Sequence, residues 1–486
     1  MNLTALLIAL PLASSPLIYL ASRARISARA AERRSWWLSL GVLLILWGLW
    51  LRAALSLSTG ETLSVTFGLL ALRVDGLSLF FALVVLGVST LVLVSSSAET
   101  AEGSEKYFAA LLTTTGALIG MVCARDLFNL WVWLETVVIS SFLLVALERD
   151  RPLALDASIK YLTQSAVGSI LIVLGIALVL AQTGALTLDS AQPGRLAPGL
   201  LAAGVLLIVG LGIKSALVPL HTWLPDVYAN APTRVTALLS GAVTVSGLIV
   251  LMRALLPLVS AAETWGLLLI GAGVVNTLAG NLLAFRQTDI KRLLAYSSIS
   301  HIGTILLGFG VSLYANLPQA AQAGLFHLFT LGLMETLAFL CLATLPNNRH
   351  ITLADLRGLI YRAPLVGVGL LLALLSLAGL PPLAGFMSKW QVFAAAFISP
   401  DPIVRGAVVV IALNILLALG YYLPPLLTLF AGEQPPSKRP EKPLPLTVRL
   451  PLILLSALIV LIGVLPDSVR WLTELASAVL VFGGAP

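Results

Sequence analysis

Long runs of apolar residues, separated by short polar segments, occupy almost the whole chain. A membrane-spanning helix needs about 20 consecutive apolar residues, and 59% of the 486 residues are hydrophobic while only 10% are charged. An average soluble chain carries about 25% charged residues, so little sequence remains for a soluble domain. The pattern predicts an all-α polytopic protein in the lipid bilayer, and it excludes a soluble enzyme, a nucleic-acid-binding protein and a secreted disulfide scaffold.

Reading the apolar runs between the polar segments predicts about fourteen transmembrane helices. The arginines near the N-terminus follow the first apolar run rather than precede it, which is the reverse of a signal peptide. We therefore expect the first run to be retained as a helix. The predicted spans are 2–21, 36–55, 76–98, 107–123, 126–147, 159–182, 200–222, 235–258, 263–285, 292–314, 319–346, 363–396, 403–432 and 450–467.

The basic residues are distributed unevenly between alternate loops. If the N-terminus lies outside, the loops on the cytoplasmic side hold most of the 29 Lys and Arg residues, as the positive-inside rule requires. We therefore expect a multi-pass protein of the inner (plasma) membrane with both termini on the periplasmic or exterior side. The same loops account for the formal charge of +7, so no nucleic-acid partner is needed to explain it.

Four charged residues lie inside the apolar runs: Glu135, Lys214, Glu335 and Lys389. A charge at the centre of a bilayer costs about 2.5–3.5 kcal/mol on insertion scales, so such residues usually face the bundle interior and pair. A nearby carboxylate stabilises the protonated form of a buried lysine. We expect Glu135 to adjust the proton affinity of Lys214 in this way, and Glu335 to serve Lys389.

Three of the four histidines lie within or beside predicted spans. Imidazole exchanges protons near pH 7, so His221, His301 and His327 are candidate members of a proton relay, with packing inside the bundle as the alternative for each. The only cysteines, Cys123 and Cys341, lie in apolar runs. Iron–sulfur clusters and structural zinc take about four ligands, so we expect two buried thiols, no metal site and no cofactor in this chain.

Prolines interrupt two of the spans beside their lysines. Pro219 follows Lys214, and Pro381 and Pro382 precede Lys389; a proline lacks the amide hydrogen that a helix needs. Broken helices in corresponding places of two halves indicate internal repeats, with the ion path near the breaks. We divide the chain into N-terminal helices (1–106), a first repeat (107–258), a second repeat (259–432) and a cytoplasmic loop with the last helix and tail (433–486).

Five segments around these residues resemble one known family. They are RDLFNLWVWLETVVISSFLLVA (125–146), KYLTQSAVGSILIVLGIALVLAQTGALTL (160–188), KSALVPLHTWLPDVYANAPTRVTALLSG (214–241), RQTDIKRLLAYSSISHIG (286–303) and LSLAGLPPLAGFMSKW (375–390). The chain is similar here to the antiporter-like membrane subunits. This family comprises the proton-pumping N, M and L chains of respiratory complex I (NADH-quinone oxidoreductase), subunits such as D of the Mrp-type cation/proton antiporters, and relatives in membrane-bound hydrogenases. The likeness runs in matching order from about Arg73 to Phe430.

This resemblance implies fourteen helices with two inverted five-helix repeats, and a proton path through Glu135, Lys214 and Lys389. It implies partners as well, namely other membrane subunits of a complex I-like or Mrp-like assembly and, in a redox-driven complex, peripheral redox subunits that supply the energy. The chain itself has no sequence fingerprint of a redox site. The resemblance is to the shorter family members, such as the D-type Mrp subunit and the shorter complex I chains.

Two spans depart from the family pattern, at three positions. Val245 stands where the family has a lysine in the eighth span, and in the eleventh span Leu331 and Glu335 replace a histidine and a lysine. Either Glu335 compensates for these changes and the relay conducts, or the path is interrupted and the chain is a divergent, non-conducting subunit. A stand-alone secondary carrier for a small solute is the third reading.

Overall fold

The computed structural model describes residues 2–22, 28–68, 70–96, 104–147, 151–188, 197–346, 350–432 and 444–480. Within these residues the chain is almost entirely helical, and the only sheet there is a two-stranded hairpin. Part of the loops that determine the predicted orientation lies outside the described residues, including 23–27 and most of the cytoplasmic loop expected from residue 433.

Two long helices and the β-hairpin precede the first predicted repeat. The strands pair antiparallel with Leu63 opposite Val74, a feature that the apolar pattern does not predict. The next helix begins directly after the hairpin because the Asp75 side chain accepts a hydrogen bond from the Ser78 backbone N–H and caps it. These elements are α1 (Leu3–Ser22), α2 (Ala28–Ser58), β1 (Leu63–Phe67), β2 (Leu70–Val74) and α3 (Gly76–Ser95).

Capping residues and prolines define the helices of the first half. Asp126 accepts a hydrogen bond from the Asn129 backbone N–H at 2.7 Å and thereby caps its helix. Pro152 and Pro198 each occupy the first turn of a helix, where the missing N–H costs nothing. The elements are α4 (Ser104–Cys123), α5 (Leu127–Val145), α6 (Pro152–Thr183), α7 (Pro198–Lys214), α8 (Trp223–Asn230), α9 (Thr233–Leu238), a π-helical turn (Leu239–Val243), α10 (Thr244–Leu255) and a 3₁₀ turn (Leu256–Ala261).

In the second half, helices likewise begin at capping aspartates and at prolines in the first turn. Asp289 and Asp401 cap helices through backbone N–H groups of Arg292 at 2.9 Å and Ile403 at 2.7 Å. Asp401 is followed by Pro402 in the first helical turn. The elements are α11 (Ala262–Ala284), α12 (Ile290–Tyr314), α13 (Pro318–Leu342), α14 (Leu353–Leu356), α15 (Leu359–Arg362), α16 (Pro364–Ala378), α17 (Ala384–Phe397) and α18 (Pro402–Phe430).

One more long helix and a short amphipathic helix complete the described chain. The short helix packs against α3 and α13, and its contact with α3 is so close that a Cβ at Gly76 would collide with the Leu475 backbone. The elements are α19 (Leu446–Val464), a 3₁₀ turn (Pro466–Val469), α20 (Arg470–Ser477) and a 3₁₀ turn (Ala478–Leu480).

Among the described residues, eleven helical segments are long and apolar enough to cross a membrane. One of them, Thr233–Ala284, has 52 residues; a straight helix of that length would measure about 78 Å, far more than the bilayer core, and Leu258 interrupts it with non-helical backbone angles. Two shorter apolar helices, α7 and α16, lie at the predicted breaks. The all-α multi-pass prediction is confirmed, and the count of fourteen stays a prediction.

Both predicted helix interruptions are present. α7 ends at Lys214 and α8 begins only at Trp223, and Pro219 lies in the turns between them because it cannot donate a helical hydrogen bond. α16 ends at Ala378 and α17 begins at Ala384. Each interruption therefore lies beside one of the lysines of the apolar runs.

The most deeply buried helices are α12, α13 and the segment formed by α9 and α10. By contrast α1, α2, α6, α18 and α19 leave most of their residues partly or fully exposed, in apolar faces suited to lipid or to neighbouring subunits. Both cysteines are buried and unpaired, as predicted. The central helices carry Glu335, His301 and His327, so polar groups lie at the middle of an apolar bundle.

Candidate functional site

The first cluster forms where α7 ends. Lys214 Nζ lies 3.2 Å from Glu135 Oε1 of α5 and donates a hydrogen bond to Ser169 Oγ of α6 at 2.9 Å. The Ser169 hydroxyl donates in turn to the Glu135 carboxylate. The structure thus brings together the two residues that were expected to pair, and it adds a serine that connects both.

A close carboxylate, a hydroxyl and the end of a helix together offset the cost of burying a charged lysine at this point. The Lys214 side chain is 4% exposed and that of Glu135 is 26% exposed. A buried ammonium group is tolerated only with a close counter-charge and hydrogen-bond acceptors, and both are present. Lys214 is also in the last turn of α7, where the helix dipole favours a cation. The partly exposed Glu135 is the member of the pair that a neighbouring chain could reach.

The interrupted segment after Lys214 contains further buried polar atoms. The side-chain nitrogen Nδ1 of His221 is buried with no hydrogen-bond partner among the described residues, and so are Ser215 Oγ and Asn276 Nδ2. The His221 ring stands edge-on to Tyr296 of α12, with ring centroids 6.2 Å apart. Buried polar groups that lack protein partners are usually satisfied by water, so the break offers places for bound water.

The second cluster joins three helices of the other half. His301 Nδ1 of α12 lies 3.2 Å from His327 Nε2 of α13, and His327 Nδ1 lies 2.9 Å from Ser388 Oγ of α17. All three side chains are buried. One of the two facing nitrogens must carry a hydrogen and the other a lone pair, and either ring can take either role. Ser388 directly precedes Lys389 in sequence.

Lys389 is in the second turn of α17, and its side chain reaches back across the second break to the end of α16. Its Nζ donates a hydrogen bond to the Leu377 carbonyl at 2.7 Å, next to the last residue of α16. Gly379, with a φ of +83°, passes so close that a Cβ there would lie 3.2 Å from Lys389 Nζ. The amine therefore occupies the C-terminal, partially negative end of α16, as Lys214 occupies that end of α7.

The prediction that Glu335 pairs directly with Lys389 is wrong. Glu335 is 2% exposed on α13 and accepts a hydrogen bond from Ser298 of α12, and the two charged groups form no ion pair among the described residues. Glu335 follows His327 by eight residues, which is about 12 Å along a helix, whereas His327 is the residue that reaches the Lys389 region. The hydrogen bond of Glu335 leads instead to α12, on which His301 contacts His327.

The family lysine position is apolar in space as well as in sequence. Val245 of α10 is 1% exposed, and it lies just after the π-helical turn that ends at Val243. Two residues further, Gly247 lies directly against the Ser215 hydroxyl, which a Cβ would displace. α10 thus packs tightly on the first break without contributing a titratable group there.

Comparison with known proteins identifies the family of this chain. Residues 124–414 match the family described as NADH:quinone oxidoreductase/Mrp antiporter, TM, and this match includes both breaks and both clusters. The chain belongs to this family. It is therefore an antiporter-like, multi-pass membrane protein, as the resemblance of the motifs implied.

Individual relatives of this family agree with the match. NADH-quinone oxidoreductase subunit N 2 of Acidobacterium capsulatum is 33% identical, over 76% of this chain and 76% of the relative. A chain of respiratory complex I from Thermus thermophilus is 30% identical with a TM-score of 0.78, covering 99% of this chain and 100% of that one. A chain of the archaeal membrane-bound sulfane sulfur reductase is 26% identical with a TM-score of 0.88, covering 99% and 98%.

Sequence analysis of this family member missed three residues of the clusters. Ser169, Ser298 and Ser388 each connect a predicted site residue to the next group. Serines are common in apolar helices, where they usually bond to their own backbone, so no sequence signal distinguished these three from the others. Ser388 alone had a positional hint, because it neighbours Lys389.

A separate buried ion pair lies at the hairpin end of the antiporter-like bundle. An Arg253 guanidinium nitrogen lies 2.7 Å from Asp75 Oδ1 and 3.0 Å from Ser78 Oγ. Burial alone would raise the pKa of Asp75, but the Arg253 charge and the Ser78 hydrogen bonds outweigh it and hold the pKa below its usual value. The pair borders a cavity of about 780 Å³ beneath the hairpin and α20, and it joins α3 to α10.

Proposed function

We propose that this chain translocates protons through a relay of buried side chains within the bilayer. The relay comprises two clusters: Glu135, Lys214 and His221, and Glu335, His301, His327 and Lys389. The observation that carries the proposal is the Glu135–Ser169–Lys214 contact at a helix break. An ion pair of this kind at membrane depth is expensive to bury, and such residues typically mark proton and ion paths.

In this relay the proton resides on the Lys214 amine, next to the carboxylate of Glu135. While Glu135 is ionised and 3.2 Å away, it stabilises the ammonium form of Lys214. When the carboxylate is neutralised or moves away, the lysine loses that stabilisation and releases its proton. Because Glu135 is partly exposed on α5, a conformational change in a neighbouring subunit can move or neutralise its carboxylate. The energy for translocation then comes from the partner chains.

The second cluster supports a path for the proton through the other half. Ser298 and His301 lie three residues apart on α12, so they share one face of the helix. Ser298 contacts Glu335, and His301 contacts His327 and through it Ser388. In this reading Glu335 occupies the centre, and Lys389 is the terminal group of the relay.

The alternative is a divergent subunit that no longer conducts. Its support is Val245, which places an apolar side chain at the family lysine position. The two readings differ in their response to Val245→Lys. If the present relay conducts around this position, a new buried charge should disturb translocation strongly; if the path is already interrupted, translocation should stay absent.

We further propose the repeats and the orientation predicted from the sequence. The breaks in α7/α8 and α16/α17 occupy equivalent places in 107–258 and 259–432, which supports two five-helix repeats. Both termini are proposed to face the exterior. Single cysteines placed at Ser58 and at Leu353, in a Cys123→Ala/Cys341→Ala background, should react with a membrane-impermeant maleimide from the outside and from the inside respectively; the opposite labelling refutes the orientation.

The assay that tests the function uses the complex purified through a tag on this chain and reconstituted in liposomes. Lys214→Ala and Glu135→Ala should each abolish proton translocation while the complex still assembles, because each removes one half of the charge pair. Asp156→Asn removes an exposed charge on α6 and is the control. Full pumping by either site variant would refute the proposal.

The same purification identifies the type of complex. Similarity to subunit N and to complex I favours a NADH-quinone oxidoreductase-like assembly, with soluble chains that carry flavin or iron–sulfur clusters among the co-purifying proteins. Co-purification of small hydrophobic chains alone would instead favour an Mrp-type antiporter. Purification of a folded chain without any partner would favour the third reading, a stand-alone secondary carrier for a small solute.

A further inference from the structure

A bridge of charges holds the short helix that follows the first break. Asp226, in the first turn of α8, forms ion pairs with Lys160 of α6 at 2.5 Å and with Arg292 of α12 at 2.8 Å. The Asp226 side chain is 17% exposed, and both cations reach it from more exposed positions. One carboxylate therefore connects three helices that belong to different halves of the chain.

The other end of α8 is held by the residue next to Arg292. Lys291 is fully buried, and its Nζ donates a hydrogen bond to the Ala231 carbonyl at 2.8 Å; Ala231 directly follows the end of α8. Two consecutive cations at the start of α12 therefore hold both ends of an eight-residue helix. This arrangement restricts sliding or tilting of α8 against α12.

α8 is also fixed to the lysine side of the break. The indole Nε1 of Trp223, the first residue of α8, donates to the Ile213 carbonyl at 2.7 Å, one residue before Lys214. Just ahead of Trp223, the Thr222 hydroxyl accepts a hydrogen bond from the Gln164 side chain of α6. His221 is thus confined between the end of α7 and α8, and its position depends on where α8 sits.

We propose that Asp226 is a positioning residue that, through Arg292, couples the Lys214 break of the first half to the His301-bearing helix α12 of the second half. The same helix α12 carries Arg292 at its start and Ser298 and His301 further along, so displacement of α8 is transmitted to the second cluster. A network of several charges that share a partly buried carboxylate is worth more than an isolated surface pair. The inference rests on the proposed proton translocation.

The test compares charge-removing and charge-keeping variants in the tagged, reconstituted complex. Asp226→Asn keeps the size of the side chain and removes the charge, and we expect it to lower proton translocation per assembled complex about threefold to tenfold. Asp226→Glu retains the carboxylate and should recover most of the loss. Asp156→Asn, an exposed charge one helical turn from Lys160, should translocate like the unmodified protein.

Non-additivity distinguishes positioning from simple structural support. Arg292→Gln should lower translocation as Asp226→Asn does, and the double variant should be no worse than either single one, because both remove the same link. Losses that multiply, or a fall in assembled complex with unchanged translocation per complex, would overturn the inference. Should Asp226→Asn fail to assemble, Arg292→Gln against Arg292→Lys gives the same comparison on the α12 side.

The outcomes also separate this inference from the proposed function. If the unmodified complex translocates protons and Lys214→Ala does not, the relay stands. Full translocation by Asp226→Asn would then refute the coupling role alone. If the unmodified complex does not translocate protons at all, the proposed function fails, and the coupling role fails with it.

Discussion

Gly379 offers a sharp perturbation of the second break, because it affects Lys389 without altering a charge. It directly follows the end of α16 with φ +83°, and a Cβ there would lie 3.2 Å from Cδ and Nζ of Lys389. The left-handed conformation costs an alanine about 1–2 kcal/mol. Contacts at 3.2 Å also require the end of the Lys389 side chain to shift by a few tenths of an ångström, which should weaken its 2.7 Å hydrogen bond to the Leu377 carbonyl. Gly379→Ala should therefore reduce both stability and proton translocation.

Two other glycines separate these effects. Gly184, at the end of α6, has φ +70° with open space around its Cβ position, so Gly184→Ala carries the backbone cost alone. Gly406, inside α18, has open space and ordinary helical backbone, and alanine there should gain about 0.5–1 kcal/mol. The thermal midpoint of the tagged complex should be highest for Gly406→Ala, lower for Gly184→Ala and lowest for Gly379→Ala.

Translocation by the three variants gives the functional half of this prediction. Gly184→Ala and Gly406→Ala should translocate like the unmodified protein, since neither position approaches the relay, and Gly379→Ala should be impaired. Equal stability losses at positions 379 and 184, together with full translocation by Gly379→Ala, would show that the lysine contact is unimportant.

Three further predictions follow from other contacts. Because the pKa of Asp75 is lowered on folding, its contribution to stability is present above the unfolded pKa of about 3.9 and is lost as the pH falls through the folded value; Asp75→Asn should lower the thermal midpoint at pH 7 and flatten its decline in acid. Gly385→Ala places a Cβ into the Ser376 carbonyl, so the yield of monodisperse complex in size-exclusion chromatography should collapse. Lys389→Met removes a buried amine that has no carboxylate partner among the described residues, so thermal scans should show equal or higher stability while liposomes show no translocation.

Much of the site was predictable because membrane chemistry limits what a charge can do. Lys214 and Glu135 lie 79 positions apart in sequence, yet their isolation in apolar runs was enough to predict that they meet. The prolines beside Lys214 and Lys389 predicted the interruptions for a local reason, the missing amide hydrogen. Proline alone does not determine an interruption, because Pro11, Pro424 and Pro451 lie inside helices that continue past them.

The partner of Glu335 was not predictable in this way. Its surroundings depend on how α12 packs against α13, and the hydroxyl of Ser298 satisfies the carboxylate there. A hydroxyl leaves no distinctive mark in the sequence, so the analogy with Glu135 suggested the wrong partner. The hairpin of β1 and β2 was missed for a related reason, since it is a short segment between two spans and contributes no apolar run.

The two breaks therefore share a backbone design and differ in their chemistry. In each, the lysine amine lies at the carboxyl end of a half-helix, so the backbone already supplies partial negative charge there. Lys214 has a carboxylate within 3.2 Å. Lys389 instead donates to a backbone carbonyl, and the neighbouring residue Ser388 contacts His327, which in turn contacts His301. A proton on Lys214 is thus held beside a partly exposed carboxylate, and a proton on Lys389 is held by the carbonyl near the end of α16. We propose that this asymmetry places the regulated step in the first half and leaves the second half to pass on the proton it receives.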